Sequence, residues 1–300
     1  MICGSANEPV ALAPRVAAVP PVLTMVSAWS GYMMGLMIPS RTTGDLLAGM
    51  WQLVSTVLGA AGRKLVWDHE SGIGQKRLTC ETAAFAGTPG CRIVQVKVRS
   101  PEHKGVVERC HDFLEKSFEP GRSFTSPTDF NTQLTGWLVG ANRRVLRRVG
   151  TRPEELIQAD TAAMCRLPPL APVTGFTARI RLGRDYYVRV LGNDYSVDPS
   201  FIGRMVDVHG GLDQVVVTCE GQVAARHARS WTTRGTVTDP AHRARAAELR
   251  QAHDQARVER ARVIPPGAHL VAVPDLGGYD QMFGVPNLDT PSRPTLAVVT

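Results

Sequence analysis

VLTMVSAWSGYMMGLMI, residues 22–38, is the stretch on which the fold of this chain turns. From Val16 to Ser40, between Arg15 and Arg41, there is no charged side chain, and the segment is long enough to cross a bilayer. Pro20-Pro21 breaks it near the start, and Ser27, Ser30 and Gly31 divide the remainder. The apolar runs VLTMVSA and MMGLMI flank a Trp-Ser-Gly-Tyr turn. That pattern predicts two adjacent strands buried on both faces, and neither a membrane span nor a signal anchor.

Working outward, RTTGDLLAGMWQLVSTVLGAAG (41–62) places Leu46, Leu47, Met50, Leu53, Val54, Val57 and Leu58 at helical spacing and exits through Gly59 and Gly62. RKLVWDHE (63–70) then predicts a short strand ending at Asp68, and CRIVQVKV (91–98) a further strand. In SPEHKGVVERCHDFLEKSF (100–118), Val106, Val107, Cys110, Phe113, Leu114 and Phe118 recur at helical steps. Strand, strand, helix, strand, strand, helix is the order of an α/β layer with a mixed sheet. Asp68, just past a strand end, sits where sites form on such sheets. Glu108 shares a polar stripe with Asp112, Glu115 and Glu119, which fits either a solvated face or chemistry.

A second helix is marked by Ser126 as cap, Pro127 at the first helical position and Asp129 in a capping box. Arg143, Arg144, Arg147 and Arg148 crowd its end; they either complement the helix dipole or face phosphates. Pro153 opens another helix, running to about Cys165. LPPLAPV (167–173) is a stiff linker. Beyond it, short strands divided by turns predict a small β-barrel. Arg179, Arg181, Arg184, Arg189 and Arg204 lie along those strands, either tracking a nucleic-acid backbone or protecting strand edges. Asp239-Pro240 begins a basic helix to about Val263, followed by a Pro/Gly-rich extended tail. The divisions implied are 1–122, 123–173, 174–236, 237–263 and 264–300.

The chain has 300 residues, 43% of them apolar, enough for a real core, and its net charge of +7 favours a polyanionic partner. Six cysteines lie far apart without a CxxC pair, which fits free thiols in a reducing cytoplasm better than a disulfide framework. Cys80, Cys91, His103, Cys110 and His111 match no zinc-ligand spacing. No GxGxxG, Walker loop or Ser/His/Asp arrangement is present.

Asp68 and Glu108 at one sheet rim would repel unless a cation lay between them. Mg²⁺ takes one or two carboxylates and leaves positions for water and phosphate oxygens. Paired ions of that kind can drive in-line phosphoryl transfer, with a basic surface holding the nucleic acid.

GLMIPSRTTGDLLAGMW, LVWDHESGIG, HKGVVERCHDFLEKSFEPGRSF, LGNDYSVDP and VTDPAHRAR, in that order, resemble transposases of the IstA class of bacterial insertion sequences; LGGYDQMFG near the end does too. The resemblance runs from about Pro21 to Gly284. It implies a ribonuclease-H-like, integrase-type core followed by a small barrel of the Mu-transposase C-terminal kind. It also implies an Asp-Asp-Glu triad using Mg²⁺ (or Mn²⁺) to cut transposon ends and join them to target DNA. Asp68 matches the second acid and Glu108 the third, both as metal ligands; His69 stands where an Asn is often seen. Lys104 and Arg109 beside Glu108, with Arg143, Arg144, Arg147 and Arg148, become DNA-contact candidates. The implied partners are transposon ends, target DNA, an ATPase helper subunit and further copies of the chain, in the nucleoid-associated cytoplasm. Family members carry the first Asp on the opening strand, whereas in residues 1–44 the one acid is Glu8. The family's N-terminal helix-turn-helix has no counterpart. These departures lead to the expectation of a truncated or frame-disrupted transposase, impaired in strand transfer, with MICGSAN foreign to the family. The alternative is a DNA-binding remnant without catalysis.

Overall fold

The stretch 22–38 folds as two antiparallel strands, and a strand of the opening residues joins them. A computed structural model describes residues 1–6, 8–67, 70–74, 77–95, 101–148 and 150–263, with the backbone alone at 2, 5, 101–108 and 261–263. Strand β1 (Ile2–Ser5) is followed by a ribbon of β2 (Val10–Ala13) and β3 (Val16–Ala18), then by β4 (Pro21–Val26) and β5 (Met33–Met37). The sheet order is β1-β4-β5, with Cys3 opposite Leu23 and Leu23 opposite Leu36. Between β4 and β5 the chain turns through Ser27 N to Tyr32 O at 3.0 Å, with Gly31 at φ +73°. Successive residues point to opposite faces. Leu23, Met25 and Met34 enter one core and Val22, Met33 and Met37 the other, which explains a run with no polar face. Among the described residues no helix is long and apolar enough to cross a membrane.

Helix α1 (Thr43–Gln52) runs on as a wider turn over Leu53–Leu58 and stops at Gly59, whose φ of +67° a side chain would strain. After it come β6 (Ala60–Ala61), β7 (Lys64–Trp67), α2 (Cys80–Gly87) and β8 (Arg92–Gln95), with β7 and β8 parallel. Strand β1 pairs with β4, and Met1 N, just before it, donates to Val66 O of β7 at 2.5 Å. Leu46, Met50, Trp67, Phe85 and Ile93 fill the core on this side.

The other face is covered by α3 (Pro101–Ser117) and α4 (Pro127–Asn142) through Leu114, Phe118, Phe130 and Leu134. Phe118 meets Phe130 edge-on at 5.3 Å. The cap of α4 is as its sequence indicates: Ser126 Oγ accepts from Asp129 N at 3.0 Å, and Pro127 stands at the start. Thr125 N and Gln133 donate to Asp129, holding its carboxyl below the usual range. Two asparagines of α4 close the open edge of β5. Asn131 exchanges bonds with Met37 (2.7 and 3.1 Å) and Asn142 with Met33 (2.8 and 2.9 Å), so side-chain amides serve where a neighbouring strand would.

Helix α5 (Pro153–Ala162) and β9 (Cys165–Arg166), paired with β6, lead to the 167–173 stretch. Beyond it lie β10 (Phe176–Arg181), β11 (Tyr187–Val190), β12 (Asn193–Ser196), β13 (Met205–Gly210), β14 (Gln214–Cys219), β15 (Gln222–Ala228) and β16 (Thr236–Val237). In this region the structure corrects the predicted barrel. The strands form two open sheets, β10-β13-β14-β15 and β11-β12-β16, over a shared core of Val188, Tyr195, Val206, Val208, Val215 and Val217. Strand β12 gives way at Pro199, which has no N–H, to a single tight turn over Pro199–Phe201. One backbone bond, Asp198 N to Ala224 O at 3.1 Å, reaches β15, and among the described residues no ladder closes the sheets.

This β region is fastened to α1. Arg229 donates to both oxygens of Asp45, Nη1 to Oδ1 at 2.6 Å and Nη2 to Oδ2 at 2.8 Å, with the side chains 4% and 1% exposed. Alongside, Gly175 N donates to Gly44 O at 3.2 Å, and a Cβ on Gly44 would lie 2.7 Å from the Gly175 backbone. Helix α6 (Pro240–Val263) begins in the unit Met1–Ala247 and continues into a second, Glu248–Thr300. Its first turn is held by Ser196 Oγ, which accepts from Asp239 N at 2.9 Å and lies 2.9 Å from His242 Nδ1.

Candidate nucleic-acid interface

Helix α4 ends where Asn142 grips Met33, and the chain then doubles back in a tight turn. Leu146 N bonds Thr151 O at 3.0 Å, Gly150 N bonds Leu146 O at 2.8 Å, and Gly150 takes φ +71°. Arg147 and Arg148 ride on this turn. Together with Arg144 and with Arg109 from α3, they border a recess of about 300 Å³ floored by Met33, Cys110 and Phe113.

Each arginine has a distinct setting. The Arg144 guanidinium carbon lies 3.8 Å from the centre of the Phe113 ring, a cation–π contact. Arg148 Nη2 donates to Ala28 O at 3.2 Å and Trp29 O at 3.3 Å, tying the recess to the β4–β5 turn. Arg109 and Arg147 have no ion pair among the described residues. Arg143 turns away to Glu154 at 3.0 Å. Among the described residues, none of these guanidinium groups donates to a carbonyl of α4, and no carboxylate borders the recess. Four planar cations of this kind suit phosphate oxygens. Burial pushes the Cys110 thiol up, partly opposed by Arg109, Arg144 and Arg148, so the floor is a neutral thiol under positive charge.

Of the residues singled out in sequence, the structure gathers Arg109, Arg144, Arg147 and Arg148 and leaves Arg143 outside. Asp68 lies outside the described residues; β7 ends at Trp67, one position before it. Glu108 and Lys104 belong to α3, but their side chains lie outside the described part. Among the described residues, no three His, Cys, Asp or Glu side chains gather as a metal site. Two carboxylates remain the hard oxygen donors that Mg²⁺ takes.

Strand β1 supplies a feature that sequence reasoning missed. A Cβ built on Gly4 would fall 1.7 Å from His111 Nε2, so the imidazole fills the space a side chain at Gly4 would need. His111 Nε2 is 3.1 Å from Glu115 Oε1, and Nδ1 is buried without a partner. Glu8 lies exposed between β1 and β2.

The arginines of the β region are mostly neutralised. Arg189 forms a two-pronged pair with Asp194 at 2.9 Å, Arg204 meets Glu220 at 2.5 Å, and Arg179 lies 3.7 Å from Asp207. Arg181 and Arg184 have no ion pair among the described residues.

Residues 167–239 match the family model described as Mu transposase, C-terminal domain. Among solved structures, the chain is similar to the catalytic core domain of BIV integrase, at 16% identity over 53% of this chain and 94% of that one, TM-score 0.39. It is also similar to a simian T-cell lymphotropic virus intasome chain, at 15% identity over 80% of this chain and 79% of that one, TM-score 0.39. A third is the HTLV-2 integrase catalytic core domain in complex with magnesium, at 14% identity over 51% and 93%, TM-score 0.35. No curated protein matches the chain.

Proposed function

We propose that this chain is a DNA transposition protein of the IstA class, built as an integrase-type core, a helical connection, a Mu-type β region and a basic helix. The match of residues 167–239 to the Mu transposase C-terminal domain carries this reading. The four-arginine recess supports it as the place where the core grips a DNA backbone. Asp68 and Glu108 are the residues that would hold Mg²⁺ or Mn²⁺, whose contribution when bound is to stabilise charge on the reacting phosphoryl oxygens. The chain's own residues orient the strand: Arg144 rests against Phe113, and Arg148 is braced by the β4–β5 turn. Transposon ends and target DNA are the substrates; further copies of the chain and an ATPase helper are the partners, in the nucleoid-associated cytoplasm.

A second reading, a DNA-binding remnant without catalysis, is favoured by Gly4. The position on β1 that faces α3 is a glycine filled by His111, so no carboxylate of β1 stands opposite Glu108's helix there. The test uses the purified chain, Mg²⁺ and a labelled duplex carrying the DNA that flanks its gene. Weak or absent cleavage and joining, with duplex binding that survives Asp68→Ala and Glu108→Ala, is the expected result. Robust joining abolished by either substitution would refute the impaired reading. Absence of binding at low salt would refute both.

A further inference from the structure

The tip of the β4–β5 turn presents Trp29 to solvent, 53% exposed, on backbone held from two sides. Ser30 Oγ donates to Asp160 Oδ2 at 2.7 Å, Ser27 Oγ donates to the same oxygen, and Arg148 bonds the carbonyls of Ala28 and Trp29. An exposed indole on a braced turn is pre-organised to stack on a flat partner. Beside it opens a recess of about 480 Å³, lined by Met25, Met34, Leu65 and Met164, with exposed Arg63 and Lys64 at its mouth. On the far flank of the same turn stand Arg147 and Arg148. Among the described residues lining this recess the one acid is Asp160, whose Oδ1 has no hydrogen-bond partner among them, so it can accept from an amino or imino group.

An apolar slot next to an exposed indole, with cations on both sides, is complementary to a nucleobase whose flanking phosphates run either way. Single-stranded sites combine these elements: a stacking ring and a basic track. We infer that Trp29 and the adjoining recess bind an unpaired base of a DNA strand, the base stacking on the indole and its polar edge reaching Asp160. This rests on the reading of the chain as a DNA-handling protein and adds to it a preference for frayed or single-stranded ends over blunt duplex.

The experiment uses the full chain and two labelled DNAs, a blunt duplex and the same duplex with a short 3′ overhang containing 2-aminopurine. Wild type should bind the overhang more tightly and change its 2-aminopurine fluorescence. Trp29→Ala should lose that signal and weaken overhang binding about tenfold, leaving blunt-duplex affinity in place, while Trp29→Phe should keep part of both. An unchanged signal in Trp29→Ala overturns the inference while the DNA-binding reading stands. No binding to either DNA at low salt overturns both. If sedimentation shows self-association without DNA that Trp29→Ala removes, the indole is a contact between copies, and the inference fails. Circular dichroism melts confirm that both variants are folded.

Discussion

Removing one partner of the Asp45–Arg229 pair should cost more than removing both. The carboxylate lies in the first turn of α1, where the helix dipole favours it, and it also accepts from Ser40 Oγ at 2.6 Å. Arg229 gives two bonds to Asp45 and one to Gly211 O at 2.8 Å, while its Nε is buried without a partner. Arg229→Met leaves a buried carboxylate with one hydroxyl for company, and Asp45→Leu leaves a guanidinium with one carbonyl. Breaking a buried pair on one side typically costs about 3–5 kcal/mol, whereas replacing both ions with packed apolar groups is near neutral or stabilising. Against a total stability of about 5–15 kcal/mol, either single change is a large loss. Urea unfolding followed by circular dichroism for wild type, Arg229→Met, Asp45→Leu and the double variant forms the cycle. Because the pair joins α1 to the β region, the single variants should also unfold in two steps. Single losses below about 1 kcal/mol with negligible coupling would show that water reaches the pair, and would refute its role as the fastening between α1 and the β region.

Three further outcomes follow from particular contacts. Asn142→Ala strips the partners from Met33 N–H and C=O and should cost about 1–3 kcal/mol in urea unfolding, with Asn142→Asp no better, since it cannot donate to Met33 O. Arg147→Ala with Arg148→Ala should weaken duplex binding uniformly across sequences and flatten the salt dependence by about 0.9 per lost phosphate contact, measured by anisotropy at graded salt. His242 is held below its ordinary value by burial and by His227, against Asp239 and Asp198, which pull it up. Its neutral form is thus the folded form: the contribution is whole above pH 6.5 and is lost as pH falls below it. His242→Asn, which keeps an acceptor for Ser196 but does not titrate, should narrow the gap between melting temperatures at pH 7.5 and pH 5.5.

The strands that carry the sheet were legible because doubly buried strands leave a long apolar run, and Pro20-Pro21 with Gly31 punctuates it. The cap of α4 was legible because Ser126, Pro127 and Asp129 fall within four consecutive positions. Strands β1 to β3 were not: each has only three or four residues, rich in Ala and Gly, without enough alternation to register. Helix α2 was missed for a similar reason, its Ala-rich surface giving no stripe. At the candidate interface, a run of arginines showed where charge collects, but not which residue turns aside. Arg143 leaves because Glu154 lies within reach on α5, a contact set by the Leu146–Thr151 turn. Asp45 and Arg229 are 184 positions apart and look like ordinary surface charges until the two regions are brought together.

The asparagine clamp on β5 also has a timetable. Met33 waits 109 residues for Asn142 and Met37 waits 94 for Asn131. At a synthesis rate of about 5–20 residues per second, that leaves the strand's outer edge bare for roughly 5–20 s on every nascent chain. During that interval a second emerging copy offers the same uncapped strand, and backbone pairing between the two would compete with α4. Slower translation across 38–142 should therefore divert more of the product into aggregates, while in the finished protein Asn131 and Asn142 of α4 occupy this edge of β5.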